Sequence, residues 1–288
     1  MKKEREWWLL VCSMFVLLPY LITMLILGRN ACPVSRTTEL ESYVAGAAAS
    51  QIPWEYQKEA IKAQVVLART NLYLEKQNGK EQEMLEEITS FFRQKHMNSE
   101  MLEQFSVFQE AAAETKGEIL TQNGSAVKLP YHDLSAGKTR DGKEILGDSY
   151  AYIPSVEVTK DIDSPLYVEG CYFSFQELEN HMCKQYKSFS FGEERNIEIK
   201  KTDAADYVME VQIGNQMVQG ERIKEILSLP SSCFTVQISG NQVRFLCKGR
   251  GHGLGMSQYG AEQMALEGKD YKEILNTFFP ELNIEKRK

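Results

Sequence analysis

Lys248–Ala261 reads KGRGHGLGMSQYGA, with glycines at 249, 251, 253 and 255 alternating with larger residues. An alternating apolar stretch precedes it and a helix-forming stretch follows, so it reads as a strand-to-helix connection. A dinucleotide-binding turn requires G-x-G-x-x-G, and a phosphate loop requires Lys-Ser/Thr at the helix start. Here the spacing is G-x-G-x-G-x-G and Met256-Ser257 stands at the helix start, so no cofactor is expected. Alternating glycines instead suit a backbone passing close to another surface, either packed protein or a bound ligand. His252 lies inside the stretch and is a better site candidate than His96, which falls on a charged helix.

Upstream, Cys233–Ile238 and Gln242–Cys247 flank Gly240-Asn241 as a hairpin. A two-residue turn places Cys247 opposite Phe234, so that Cys233 and Cys247 would not bridge, whereas a longer turn would reverse that. Short strands are expected after Pro165, around Asn196–Lys200 and Tyr207–Ile213, with helices near Phe175–Tyr186 and Gly220–Leu229. Ser135–Asp163 is loop-rich, and Asn123-Gly124 marks a turn between Glu118–Gln122 and Ser125–Tyr131. Before that turn the period is helical. Thr38 and Glu41 make a capping box for a helix ending near Ser50-Gln51. Pro53 suits the first turn of a second helix with Trp54, Ile61, Val65, Ala68 and Leu72 on one face. Two more helices fit Gln82–His96 and Ser99–Lys116, and the last two begin near Met256 and Asp270. The expected class is α+β: a mixed helix and antiparallel-strand domain over 38–288, with a helical insert at about 75–116 and a small β-rich portion at about 165–248.

Residues Trp7–Leu27 carry no charge and are long enough to cross a bilayer as a helix, which takes about 20 residues. Lys2, Lys3 and Arg5 precede the run, and no Ala-x-Ala-like cleavage site follows it. Residues 1–37 therefore read as a cytoplasmic stub, a single membrane helix and a connector, with the bulk of the chain extracytoplasmic. A net charge of −7 provides no basic stripe for nucleic acid. Of the six cysteines, Cys171, Cys183, Cys233 and Cys247 permit a disulfide outside the cytoplasm without requiring one. Cys171, His181 and Cys183 are zinc-ligand types, but their spacing fits no finger and a fourth ligand is missing, so no metal is expected.

Several ordered segments carry a resemblance. LESYVAGAAASQIP (40–53), EAIKAQVVLARTNLYL (59–74), FQEAAAETKGEILTQNG (108–124), YHDLSAGKT (131–139) and KGRGHGLGMSQYGAEQMALEGKDYKEIL (248–275), with Phe278-Phe279-Pro280 beyond, resemble the stage II sporulation protein D family, which includes the amidase-enhancer proteins. Leu74–Met101 and Phe173–Met209 carry little of the likeness. The resemblance implies an envelope protein with a glycan-binding groove, acting on peptidoglycan glycan strands during engulfment at the septal membrane of a spore-forming bacterium. Its partners would be a cell-wall amidase that strips the peptides and other engulfment proteins. Active members are similar to lytic transglycosylases.

The likeness breaks at the chemistry. Cleaving a glycosidic bond needs a proton delivered to the leaving oxygen by an Asp or Glu of raised pKa. The family pattern has a glutamate just before the Met/Leu/Ile-Pro pair, and here that position is Gln51. An amide has no acidic proton to give, although it hydrogen-bonds a sugar well. Asp133 and Glu55 are the carboxylates that could substitute, Glu55 also being suited to a surface pair with Lys58. By the family pattern, Gln64, Arg69 and Thr70 either line the groove or, for Arg69, hold helices together. His132, Ser135 and Thr139 either bind glycan or shape their loop, and Ala136 replaces a usual glycine. His252, Ser257 and Gln258 complete the expected glycan-binding set together with Arg250, which replaces a usual aromatic, while Lys248 replaces a usual Arg. Three readings follow: a glycan binder that does not cut, an active transglycosylase using Asp133 or Glu55, and an envelope scaffold that does not bind glycan.

Overall fold

The computed structural model describes residues 40–95, 98–193 and 195–287. The expected membrane helix over Trp7–Leu27 and the capping box at Thr38 lie outside them. Among the described residues no helix is long and apolar enough to cross a membrane. Val44–Lys288 forms one compact unit.

Four helices come first: α1 (Glu41–Ala49), α2 (Lys58–Gln77), α3 (Glu81–Gln94) and α4 (Ser99–Glu114). The second helix opens at Lys58, five residues later than Pro53 suggests. The reason is tertiary. The Trp54 indole N–H donates to the Ala49 carbonyl at 2.6 Å, satisfying a C-terminal group that α1 leaves open. The Gln57 N–H donates to the Glu262 carboxylate at 2.6 Å. These bonds hold 50–57 as a turn, and Trp54 packs among Phe92, Phe105 and Phe108 of the α3–α4 pair. Helix α2 is the central element, with Ala60, Ala63, Val66 and Leu67 fully buried in the main apolar core.

The first hairpin joins β1 (Glu118–Gln122) to β2 (Ser125–Ala126). Asn123 and Gly124 both have positive φ, 50° and 78°, as a type I′ turn requires. On its other edge β1 pairs antiparallel with the last strand, β11 (Asn283–Lys286), so residues 118–126 and 283–286 share one small sheet. A short strand β3 (Tyr131–His132) pairs in parallel with β10 (Met256–Ser257). Helix α5 (Gly142–Leu146) lies in the loop-rich stretch.

Next come β4 (Val168–Ser174), α6 (Phe175–Gln185), β5 (Ile197–Thr202), β6 (Val208–Ile213), β7 (Gln216–Gln219), α7 (Gly220–Leu227), β8 (Phe234–Ser239) and β9 (Gln242–Lys248). They make two three-stranded antiparallel sheets, β4-β9-β8 and β5-β6-β7, around a second apolar core that includes Leu178, Met182, Val211 and Phe245. Strand β7 has no strong signal of its own and exists as the return of a hairpin with β6. In the β8–β9 hairpin Phe234 stands opposite Cys247, the register that the two-residue turn predicts. Helices α8 (Gln258–Leu266) and α9 (Tyr271–Phe278) return to the first core. The chain is α+β.

Candidate functional site

All four glycines of the 249–255 loop have positive φ, between 70° and 99°. Their missing side chains are filled by protein. A Cβ on Gly253 would clash with the phenol end of buried Tyr207, closest to its Cζ, and one on Gly255 would fall on the Pro130 carbonyl oxygen. The packing role of alternating glycine is thus realised, and the loop lies along the 130–135 segment. Leu134 and Arg250 exchange both backbone hydrogen bonds, at 3.1 and 2.7 Å.

A charge network that no local pattern announces holds the loop from behind. Arg140 is 2% exposed. Its guanidinium donates to Asp203 at 2.6 Å, to Glu221 at 2.8 Å and to the His252 carbonyl at 3.2 Å, and lies 4.9 Å from the Tyr207 ring centre. Asp203 sits between β5 and β6, and Glu221 in the first turn of α7. Arg140 therefore ties the β-rich portion to the loop that carries His252.

His132 and His252 lie with ring centres 5.8 Å apart. His132 donates through Nδ1 to the Leu254 carbonyl at 3.0 Å, and its buried Nε2 has no partner among the described residues. Burial pushes its pKa down to about 3, and burial likewise lowers that of His252. His252 accepts from the Leu254 N–H through Nδ1 at 3.1 Å. Both rings are neutral at neutral pH and neither is poised as a general acid.

The depressed pKa has a stability consequence. Unfolded His132 titrates near 6.5, so its contribution is fully present above that pH and is lost as pH falls toward about 3. Between pH 7 and pH 5 the expected loss is about 2 kcal/mol. Asp161 has the opposite sign. Its Oδ2 accepts the Ser135 N–H at 2.8 Å and the Ser257 O–H at 2.7 Å, yet burial raises its pKa to about 6. Folded Asp161 takes up its proton first, so its contribution grows as pH falls from about 6 toward the unfolded carboxyl value. Urea unfolding at pH 7 and pH 5 separates the two: the acid-side loss should shrink in His132→Asn and deepen in Asp161→Asn.

Three glutamines from distant parts of the chain meet at the expected acid position. Gln64 on α2 donates through Nε2 to the Gln51 side-chain oxygen at 2.8 Å. Gln258, at the start of α8, donates to the Gln64 oxygen at 3.0 Å and to the Gln51 backbone carbonyl at 2.7 Å. Gln64 and Gln258 are buried and Gln51 is half-buried. Gln51 borders two cavities. A larger one, about 750 Å³, is lined by Gln51, Glu75, Glu87, Phe91, Tyr131 and His252 among others. A smaller one, about 490 Å³, is lined by Gln51, Trp54, Glu55, Lys95, Asp133 and Gln258 among others. They share Ser50, Gln51 and Phe91, so they read as one groove with Gln51 at its middle. The α3–α4 pair supplies one wall. Burial raises the Asp133 pKa, opposed by the Arg250 charge, although the residue is open to solvent. Tyr131 is pushed up to about 12, chiefly by burial, with Glu87 and Asp133 adding to it.

The other expected residues sit differently. Arg69 is 1% exposed and donates to Ala112 and Glu118 carbonyls and to Thr115, joining α2 to the end of α4 and the start of β1. Thr70 accepts the Leu120 N–H at 3.0 Å. The Ser135 hydroxyl accepts the Gly137 N–H, and that of Thr139 accepts the Val156 N–H. Ser257 caps α8 through the Gly260 N–H. Arg250 pairs with Glu169 at 2.6 Å. Of the expected set, Gln51, Asp133, His252 and Gln258 line the groove, Gln64 braces it, and His132 backs it. Phe91, Lys95 and Tyr131 are groove residues that sequence reasoning missed. The first two lie within Leu74–Met101, a stretch that carries little of the likeness read from the sequence.

Cys171, Cys183, Cys233 and Cys247 are free thiols. Burial raises the pKa of Cys233 to about 11 and that of Cys247 to about 12, so both stay protonated.

Comparison with known proteins points to one family. The family model described as stage II sporulation protein matches residues 29–122. The chain is 30% identical over 271 residues to stage II sporulation protein D of Bacillus subtilis, covering 86% of this chain and 76% of that one. It is 29% identical over 271 residues to the protein of the same name from Bacillus amyloliquefaciens, covering 88% and 78%. It is also 26% identical over 290 residues to the amidase enhancer of Bacillus subtilis, covering 82% of this chain and 39% of that protein.

Proposed function

The chain belongs to the stage II sporulation protein D family, and on that premise we propose that it is a membrane-anchored, extracytoplasmic protein that binds peptidoglycan glycan strands without cutting them. Its setting would be cell-wall remodelling in sporulation, beside a cell-wall amidase, a partner suggested by the similarity to an amidase enhancer.

The observation that carries the proposal is the Gln51 side chain. It stands where the family pattern has its acid, at the middle of a groove, fixed by the Gln64 amide. A lytic transglycosylase can work with one acid, because a hydroxyl of the sugar itself is the nucleophile. Without a proton donor the leaving oxygen departs as a high-energy alkoxide. Gln51 cannot protonate it. Its Nε2 has no partner among the described residues and can donate to a sugar hydroxyl. The Gln64 N–H that now meets the Gln51 oxygen would serve a carboxylate equally well, so the surroundings still suit an acid.

One observation favours a second reading. Asp133 lines the smaller cavity together with Gln51, and burial has raised its pKa, as a general acid requires. On that reading Asp133 is the proton donor and the protein is an active transglycosylase. Glu55 shares the same cavity wall.

Binding is tested by sedimentation with insoluble peptidoglycan before and after peptide removal. The protein is expected to be retained, and Phe91→Ala, which removes an aromatic face common to both cavities, should weaken retention about tenfold. Absence of retention in both preparations would leave only the scaffold reading.

A further inference from the structure

We propose that the smaller cavity is a subsite for a primary ammonium group, and that the protein's own Lys95, on its wall, stands in for that group in this structure. The inference rests on the glycan-binding reading and specifies which chemical group the groove selects.

Lys95 caps the C-terminus of α3. Its Nζ lies 4.5 Å from the Trp54 ring centre and 4.8 Å from that of Phe91. It makes no ion pair among the described residues, so two aromatic faces hold it where a carboxylate ordinarily would. The negative face of each ring attracts a cation, most strongly when the cation is shielded from water. The carboxylates of Glu55 and Asp133 line the same cavity, and among the described residues Lys95 is the only cation that lines it. Rings and carboxylates thus favour the same kind of guest, and an anionic guest would meet a net negative wall.

Lysine suits a displaceable occupant. Its charge rides on a flexible four-carbon stem at a helix end, so it can swing into solvent when a better-placed ammonium enters. Gln51 and Gln258 line the cavity as well, which sets the guest next to the sugar unit at the groove's middle. On a glycan strand the matching chemistry is a free amine. It is either the 2-amino group of a sugar that has lost its acetyl group or an amino group of a remaining peptide stem.

The test is calorimetric titration of the full chain, native and Lys95→Met, with β-1,4 oligomers of glucosamine, with the N-acetylated oligomers, and with glycan fragments bearing peptide stems. Tetramethylammonium serves as a small cation probe that needs no groove. Glucosamine oligomers, stem-bearing fragments or both are expected to bind more tightly than the acetylated oligomers. Removing the internal competitor should raise that affinity about tenfold and leave the acetylated oligomers unchanged. Whichever amine-bearing ligand shows the gain identifies the source of the ammonium. Weaker binding of the amine-bearing ligands to Lys95→Met would overturn the proposal by making Lys95 a ligand contact. Equal binding of acetylated and amine-bearing ligands would overturn the subsite and leave glycan binding intact. If no oligomer binds but tetramethylammonium binds Lys95→Met more tightly than the native chain, the subsite stands and the glycan reading falls. If nothing binds either protein, both fall.

Discussion

Arg140→Met is expected to destabilise the protein by about 3–5 kcal/mol. Arg140 and Asp203 form a pair whose side chains are 2% and 1% exposed. Removing the guanidinium leaves the Asp203 carboxylate buried and uncompensated, and that orphan charge, more than the lost attraction, sets the cost. Four further contacts go with it: those to Glu221, to the His252 carbonyl, to the Met209 sulfur and to the Tyr207 ring. Urea unfolding measures the loss. Adding Asp203→Asn should recover about half of it, because the amide removes the orphan charge. Its side-chain oxygen can still accept from Ala205 and Tyr207, as Asp203 does now. A single variant within 1 kcal/mol of the native protein would mean that the network does not hold the loop.

Gly255→Ala is the second large effect, expected at about 3–5 kcal/mol. The φ of +71° costs a side-chain-bearing residue about 1–2 kcal/mol. The new methyl would also land on the Pro130 carbonyl, and overpacking of that kind adds about 1–3 kcal/mol. The damage should be local as well as global, because the Met256 N–H donates to the same carbonyl and Met256 opens β10. Gly268→Ala is the control. Its φ is +89° with nothing within 4 Å of the added carbon, so only the backbone strain applies. Its expected cost is about 1–2 kcal/mol. Equal losses in the two variants would show that the loop has room to move.

The two effects show why the sequence revealed some of this molecule and concealed the rest. Close approach leaves a mark in sequence, because only glycine tolerates it. The G-x-G-x-G-x-G run accordingly announced a backbone pressed against something, and its partner is the 130–135 segment. Register leaves a mark too: a two-residue turn fixes which side chains face each other, and Phe234 meets Cys247 as the hairpin predicts. Arg140 left none. Its partners lie 63, 81 and 112 residues away, and an arginine followed by Asp141-Gly142 reads equally well as an exposed turn. The start of α2 was misplaced for the same reason. Pro53 is a sound local signal, but the Trp54 and Gln57 bonds to Ala49 and Glu262 outweigh it. Strand β11 exists because β1 offers it an edge, which a scan of Asn283–Lys286 alone does not reveal.

In the groove, legibility followed chemistry. Gln51 stood out because the expected residue type was missing, and its partners Gln64 and Gln258 lay within segments already singled out. Arg69, Thr70, Ser135, Thr139 and Ser257 were singled out equally, and each is a buried polar side chain with a backbone partner. A pattern of residue types does not distinguish a hydroxyl that waits for a sugar from one that satisfies a buried N–H. Lys95 and Phe91 were missed because the segment that carries them, Leu74–Met101, has few residues in common with the motifs quoted for the family.

The central claim is that the groove holds a glycan strand and lacks only its acid. Mass spectrometry of peptide-stripped glycan strands incubated with the native protein and with Gln51→Glu tests it most directly. The expected result is release of 1,6-anhydro sugars by Gln51→Glu alone. Release by the native protein would contradict the claim, and loss of that release in Asp133→Asn would then identify Asp133 as the acid.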